Sequence, residues 1–205
     1  MGVSLIRLAT DDDAAAVADI YGPIVEGTAI SFESEPPDAA EISRRIRDTL
    51  VAYPWLVLER NGDVVGYAYA SRHRVRAAYQ WSVDTSAYVD EKFRRRGVGQ
   101  ALYLSLLAVL EAQGFVNAFA GIALPNPASV RLHERVGFTP LGVYRGVGYK
   151  LGAWRDVGWW QRPLGPVDAV PSATRSLEDL RRSGQWESLL ACGLAVVRDD
   201  VSGRA

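Results

Sequence analysis

Residues 94–99, Arg94-Arg95-Arg96-Gly97-Val98-Gly99, set three guanidinium groups and two glycines directly ahead of a long apolar run that ends near Gln113. Glycine lets a backbone approach a ligand closely and turn its amides inward. A helix that starts there adds positive potential at its N-terminus, so the stretch has the chemistry of a phosphate or diphosphate site. Two familiar phosphate loops do not fit. The glycine-lysine-serine or threonine ending of a nucleotide P-loop is missing, and Gln100, Ala101 and Leu102 follow where a dinucleotide turn needs another glycine. A solvated basic turn before an ordinary helix is the alternative that this segment alone leaves open.

A second group of candidate residues lies in "NPASVRLHERVGF". Asn126 suits a helix N-cap, Pro127 the first helical position and Gly137 a left-handed stop, while Asn126, Ser129, Val130 and His133 fall along one side at helical spacing. His133 then points at whatever Asn126 approaches. The other histidine, His73, stands between two arginines and reads as a surface residue. In "YQWSVDTSAYV", strand alternation places Trp81, Val83, Ala87 and Val89 on one face and Ser82, Asp84 and Ser86 on the other.

The elements that must position these residues are legible around them. "SLIRLA" reads as a first strand, with Thr10 and Asp13 as a capping pair for the helix in which Val17, Ile20, Tyr21, Ile24 and Val25 recur at helical spacing. A second helix starts near Pro37 and Asp38 and carries Ile42, Ile46 and Leu50 four apart. Asn61-Gly62 between two apolar runs predicts a hairpin. The long helix runs from about Gly97 to Gln113; then come the strand "FVNAFAGIA", a short helix from Asn126 to Val136, and a glycine- and aromatic-rich stretch of strands to Leu164. Hairpins first and strand-helix-strand later predict an α/β (α+β) fold with a mixed sheet. From Gly165 the composition shifts to the proline-bearing "GPVDAVPSATR" and then to an amphipathic terminal helix interrupted near Gly184. The expected organisation is one domain over 1–165, with a linker and C-terminal helical extension over 166–205.

Composition narrows the function classes. With 48% hydrophobic residues in 205, the chain can bury one substantial core. The 23 basic and 24 acidic residues nearly cancel, leaving no global positive field to draw the protein onto nucleic acid or an anionic membrane, and neither partner is expected. Cys192 is the sole cysteine, which excludes an intrachain disulfide and argues against a cysteine zinc site; no metal is expected. "MGVSLIRLATDDD" lacks the apolar stretch of a signal peptide and no later segment is long and apolar enough to span a bilayer, so a cytoplasmic location is expected.

The residues 94–99 match the R/Q-x-x-G-x-G/A motif of the GNAT N-acetyltransferase superfamily, and "NPASVRLHERVGF" resembles its second acetyl-CoA motif. "YPWLV", "AYQWSVDTSAYV", "LEAQGF", "LPNPASVRLHERVGF" and "GYKLGAWRDVGWWQ" resemble the phosphinothricin acetyltransferase branch, whose members acetylate amino acids; the likeness covers roughly residues 4–164. It implies the GNAT fold, a mixed twisted sheet flanked by helices, with acetyl-CoA as cosubstrate and a small-molecule amine as acceptor. The resemblance assigns the coenzyme A pyrophosphate to Arg95, Arg96, Gly97, Val98, Gly99 and Gln100, and the pantetheine arm to backbone groups of Ala87, Tyr88 and Val89. An amide there can stabilise an oxyanion. Asn126 and Ser129 complete the cofactor group.

The same resemblance makes His133 the acid or thiolate partner and Asp84 the base, in a place where the family has glutamate. Aspartate is shorter by one carbon-carbon bond, about 1.5 Å, so a bridging water is expected. Acceptor contacts fall to Phe32, Arg74, Val75, Arg76, Thr85 and Ser86, a guanidinium being able to hold an amino acid carboxylate in bidentate fashion. Relatives are commonly homodimers, and the aromatic residues from Tyr144 to Trp160 could supply the interface. The extension beyond Leu164 is expected to be dispensable for acetylation. Two rival readings remain at this point: an acyl-CoA-binding module without turnover, and an acetyltransferase for a peptide N-terminus or polyamine.

Overall fold

The computed structural model describes residues 3–167 and 170–198. Strands β1 (Ser4–Leu8), β2 (Trp55–Arg60), β3 (Asp63–Arg72), β4 (Ser82–Val89), β5 (Asn117–Leu124), β6 (Thr139–Lys150) and β7 (Ala153–Pro163) form one sheet in the order β1-β2-β3-β4-β5-β7-β6. All neighbours run antiparallel except β4 and β5. The hairpin between β2 and β3 turns at Asn61 and Gly62, both with positive φ (53° and 93°), as the Asn-Gly pair predicts.

Two helices lie on one face of the sheet. α1 (Ala14–Gly27) buries Val17, Ile20, Tyr21, Ile24 and Val25, and α2 (Ala39–Leu50), capped by Asp38, buries Ile42 and Ile46. Both stripes close over Trp55, Val57 and Tyr67. The turn before α1 is pinned by the reciprocal Thr10–Asp13 capping box, with Asp13 in a two-pronged ion pair to Arg7 at 2.7 and 2.8 Å.

On the other face α3 (Val98–Gln113) packs against β2, β3 and β4, and the small Ala68 and Ala70 on β3, with Val83 on β4, are fully buried in this core. The helix is buried on nearly every side because α4 (Pro127–Arg135) and the C-terminal segment cover what the sheet does not. α5 (Leu177–Arg181) and α6 (Trp186–Ala191) place Leu177, Leu180, Trp186 and Leu190 in this same core. Ser105 Oγ donates to the Leu190 carbonyl at 2.7 Å, and a Cβ on Gly193 would come within 2.0 Å of the Ala101 carbonyl oxygen. The break expected near Gly184 separates α5 from α6, and the segment expected to be an appendage is part of the main core.

The feature that makes a site is a fork. β4 and β5 pair only at Ser82–Asn117, Val83–Ala118 and Asp84–Phe119, after which both strands run on without backbone pairing between them. Asp84 and Phe119 stand at its apex. The backbone from Thr85 to Val89 is thereby left without a strand partner on its β5 side.

Candidate active site

A cavity of about 530 Å³ opens where the fork is widest, between the N-termini of α3 and α4. Ala87, Tyr88 and Val89 form one wall, Gly97, Val98, Gly99 and Gln100 the end, and Asn126, Ser129 and His133 the other wall. The sequence groups these residues at the cofactor, and the fold brings them to one cavity. The first amides of a helix have no intrahelical acceptor, so those opening α3 are available to an anion. Arg95 makes this possible by taking a left-handed conformation (φ 62°) together with Gly97 (φ 84°). The cradle suits a diphosphate, and the unpaired β4 edge suits an extended amide-bearing chain, so the residues present fit coenzyme A.

Arginine placement differs from expectation. Arg96 does not line the cavity: its guanidinium lies 5.3 Å from the centre of the Phe93 ring. Arg95 does line it, together with Arg94, Arg131, Arg135 and Arg198, which were not among the expected residues. Arg198 comes from the C-terminal strap, whose backbone amide donates to the Arg96 carbonyl at 2.9 Å while the Arg198 carbonyl accepts from Arg60 Nη1 at 2.9 Å. The strap lies so close that a Cβ on Gly97 would sit 2.1 Å from the Val196 carbonyl oxygen. Gly97 is thus required by the chain itself as well as by any ligand. Gly99 is closely packed, a Cβ there meeting Leu132 Cδ2 at 3.1 Å, so that methyl would have to shift to admit a side chain.

His133 is 5% exposed on α4. Its Nδ1 lies 2.8 Å from the Ser129 carbonyl, which can only accept, so Nδ1 carries the hydrogen and Nε2 accepts from the Tyr103 hydroxyl at 2.7 Å. Burial lowers its basicity, outweighing the bond to Ser129. It is a neutral ring of fixed tautomer at neutral pH, with the Ser129 hydroxyl 3.3 Å from Nδ1.

At the apex, Asp84 stands on the face opposite Val83, as strand alternation requires. Burial raises its pKa, and a hydrogen bond from His73 offsets part of that rise. His73 is the residue that sequence reading misplaced. Its Nδ1 is 2.7 Å from Asp84 Oδ1, its side chain is only 12% exposed, and its ring stacks on Phe119 at 4.3 Å between centres. The pairing register explains it: Ser71 faces Asp84 across β3 and β4, so the chain leaving β3 folds back over the apex. No local pattern signals this, because the two residues meet only when the strands align.

The expected acceptor residues divide. Arg74 Nη1 donates to the His73 carbonyl at 2.7 Å and its guanidinium lies 5.7 Å from the Trp159 ring centre, beside the apex. Val75 and Arg76 are exposed in the loop that follows, and Ser86 is opposite Tyr69 on the Asp84 face. Thr85 departs from expectation: it is buried on the opposite face, its hydroxyl donating to the Phe119 carbonyl at 3.1 Å, so it closes the fork and does not face an acceptor. Phe32 packs on Gly148 of β6. Its loop is held by Lys150, whose Nζ donates to the carbonyls of Val25, Ser31 and Glu33 at 2.6 to 2.8 Å.

Comparison with known proteins agrees with this geometry. The sequence pattern defining the family described as "Acetyltransferase (GNAT) domain" matches residues 6–159. A phosphinothricin N-acetyltransferase of Streptomyces viridochromogenes is 46% identical over 85% of this chain and 95% of its own length. An L-methionine sulfoximine/L-methionine sulfone acetyltransferase of Salmonella typhimurium is 34% identical over 82% of this chain and 98% of its own. A GNAT superfamily phosphinothricin acetyltransferase from Sinorhizobium meliloti, solved in complex with acetyl-CoA, superposes with a TM-score of 0.80 at 34% identity, covering 88% of this chain and 99% of that one.

Proposed function

Since the chain belongs to the GNAT acetyltransferase family, we propose that it moves the acetyl group of acetyl-CoA to the primary amine of a small amino acid of the phosphinothricin, methionine sulfone or methionine sulfoximine type. The observation that carries this reading is the fork, which has Asp84 at its apex and whose open β4 edge at Ala87, Tyr88 and Val89 lines one cavity with the glycine turn of α3. Acetyl-CoA, when bound, supplies an activated acyl carbon whose leaving group is a thiolate.

The α3 amides and surrounding arginines hold the diphosphate, and the free edge of β4 at Ala87, Tyr88 and Val89 accepts the pantetheine arm as a further strand would. One of these amides is placed to stabilise negative charge developing on the acyl oxygen. Asp84, at the apex of the fork, anchors the base that frees the amine lone pair. His133 faces the leaving sulfur's side of the cavity, and the Ser129 hydroxyl is its path for a proton. Arg74 beside Trp159, with Arg76 in the same loop, holds the acceptor carboxylate, which argues for an amino acid over a polyamine. Phe32 closes the acceptor side.

Thiol release from acetyl-CoA, measured against a panel of amino acids with their sulfone, sulfoximine and phosphinate analogues, tests the reading. Turnover confined to peptides or polyamines would overturn the substrate class, and acetyl-CoA binding without turnover would overturn the enzyme.

The reading also includes a homodimer in the cytoplasm, where acetyl-CoA is available. What supports the dimer is the row of exposed apolar side chains Leu141, Tyr144, Val147, Tyr149 and Trp154 on β6 and β7. Sedimentation of the intact chain at twice the monomer mass of 22.4 kDa is the expected result.

A further inference from the structure

We propose that His73 and Asp84 work as a single base, with His73 Nε2 the atom that takes the proton from the acceptor's ammonium group and Asp84 the residue that orients the ring and balances its charge. The proposal rests on the acetyl-transfer reading above.

The argument begins with the bond itself. An ionised carboxylate can only accept, so the 2.7 Å contact requires the hydrogen on His73 Nδ1, and the neutral ring then carries its lone pair on Nε2. Among the described residues no protein group is hydrogen-bonded to Nε2. The ring is also held in place. It lies nearly parallel to Phe119 (17° between planes), with Tyr79 and Trp159 meeting it edge-on at 6.0 and 6.4 Å. Phe119 is the residue opposite Asp84 at the apex of the fork, so the imidazole is fixed where β4 and β5 part. A ring stacked, pinned by a half-buried carboxylate and open at its basic nitrogen is the arrangement by which an acid orients a histidine base.

Reach gives the second argument. The aspartate side chain is short, and its Oδ1 is already occupied by the imidazole. The ring carries basicity outward from the strand, to an atom roughly 2 Å beyond Nδ1 by ring geometry. The proton balance closes. An ammonium N–H bond breaks and its proton goes to His73 Nε2; the freed lone pair forms the N–C bond to the acetyl carbon. The C–S bond breaks, sulfur leaves with the electron pair and takes the second amine proton, and His73 returns its proton to water.

His73→Asn tests this, because the amide can still donate to Asp84 yet cannot take a proton. The expected result is a fall in kcat of about 100-fold with the KM for acetyl-CoA unchanged. The double variant with Asp84→Asn should be no slower than the slower single one, as for residues acting as a unit. Adding imidazole to His73→Ala should restore part of the rate, and so should Asp84→Glu in that background, whose longer carboxylate can reach the amine. Wild-type kcat in His73→Asn would reduce His73 to a positioning residue and overturn the proposal. If no amine in the panel is acetylated, the substrate reading has failed, and nitrogen-15 NMR of the histidines still decides the dyad: Nδ1–H for His73, lost in Asp84→Asn, is expected, and an Nε2–H ring in the wild type would overturn it.

Discussion

The two ends of the cleft are built on different principles. At the cofactor end the turn that opens α3 is one contiguous stretch, and the chemistry of that turn resides in backbone amides and left-handed residues, Arg95 at φ 62° and Gly97 at φ 84°. At the acceptor end they come from three strands and a loop, and the chemistry resides in side chains: His73 after β3, Asp84 on β4, Phe119 on β5 and Trp159 on β7. A diphosphate is the same in every reaction of this kind, so a turn that wraps it needs little from the rest of the fold. An acceptor differs between enzymes, and side chains gathered from several strands can be exchanged one at a time.

The C-terminal strap complicates this contrast, because it ties the cofactor turn to residues a hundred positions away. Removing residues 165–205 provides the harshest test. The expectation from sequence was that activity survives, but the deletion strips Leu177, Leu180, Trp186 and Leu190 from the core. At about 1.5–3 kcal/mol for each fully buried side chain, the loss rivals the whole stability of an ordinary domain. We expect an unfolded or aggregated product by circular dichroism; a folded, active fragment would show the cofactor end to be self-sufficient after all.

Asp84→Asn strikes the other end. Turnover should fall by about 100-fold or more with the Kd for acetyl-CoA unchanged, measured by calorimetry and thiol release. Gly97→Ala should do the converse: the forced φ and the Val196 carbonyl in its path cost about 1–3 kcal/mol locally, raising the KM for acetyl-CoA about tenfold while the acceptor KM holds. Equal effects of either variant on both substrates would mean that the ends are coupled and the contrast is false.

Titration separates a structural carboxylate from a working one. Burial pushes the Asp13 carboxyl up, but Arg7 and the Thr10 amide outweigh it and hold it below the usual range. Its contribution is therefore complete above the unfolded value near 4 and disappears as pH falls through the folded value. The Asp84 carboxyl is raised, so ionising it opposes folding once pH rises past the unfolded value. Asp13→Asn should lose about 1–3 kcal/mol at pH 7 and converge on the wild type in acid, whereas Asp84→Asn should leave stability at pH 7 unchanged or slightly higher, by denaturant titration. The smallest effect is expected for Phe32→Ala, a few-fold rise in acceptor KM alone, since its ring rests on Gly148 and is 42% exposed.

Much of the fold was legible because local rules agreed with one another: the Thr10–Asp13 box, the Asn61-Gly62 turn, the Asn126 cap with Pro127 behind it, and the stripes of α1 and α2 all stand where spacing put them. What local rules could not rank was which arginines of the three line the cavity: Arg94 and Arg95 do and Arg96 does not. That depends on the left-handed residue at 95, which turns Arg96 toward Phe93. Thr85 was misjudged for a related reason, since adjacency to Asp84 in sequence means the opposite face of a strand.

Sequence alone determined the glycine turn ahead of α3 and the helices that frame it, because a turn and a helix N-terminus are made by consecutive residues whose torsions and amides are local properties. Only the tertiary structure decided that His73 leans on Asp84, that the strap belongs to the core and that the strands part after Asp84. Those facts depend on strand register and on packing between distant segments, which no window of sequence contains.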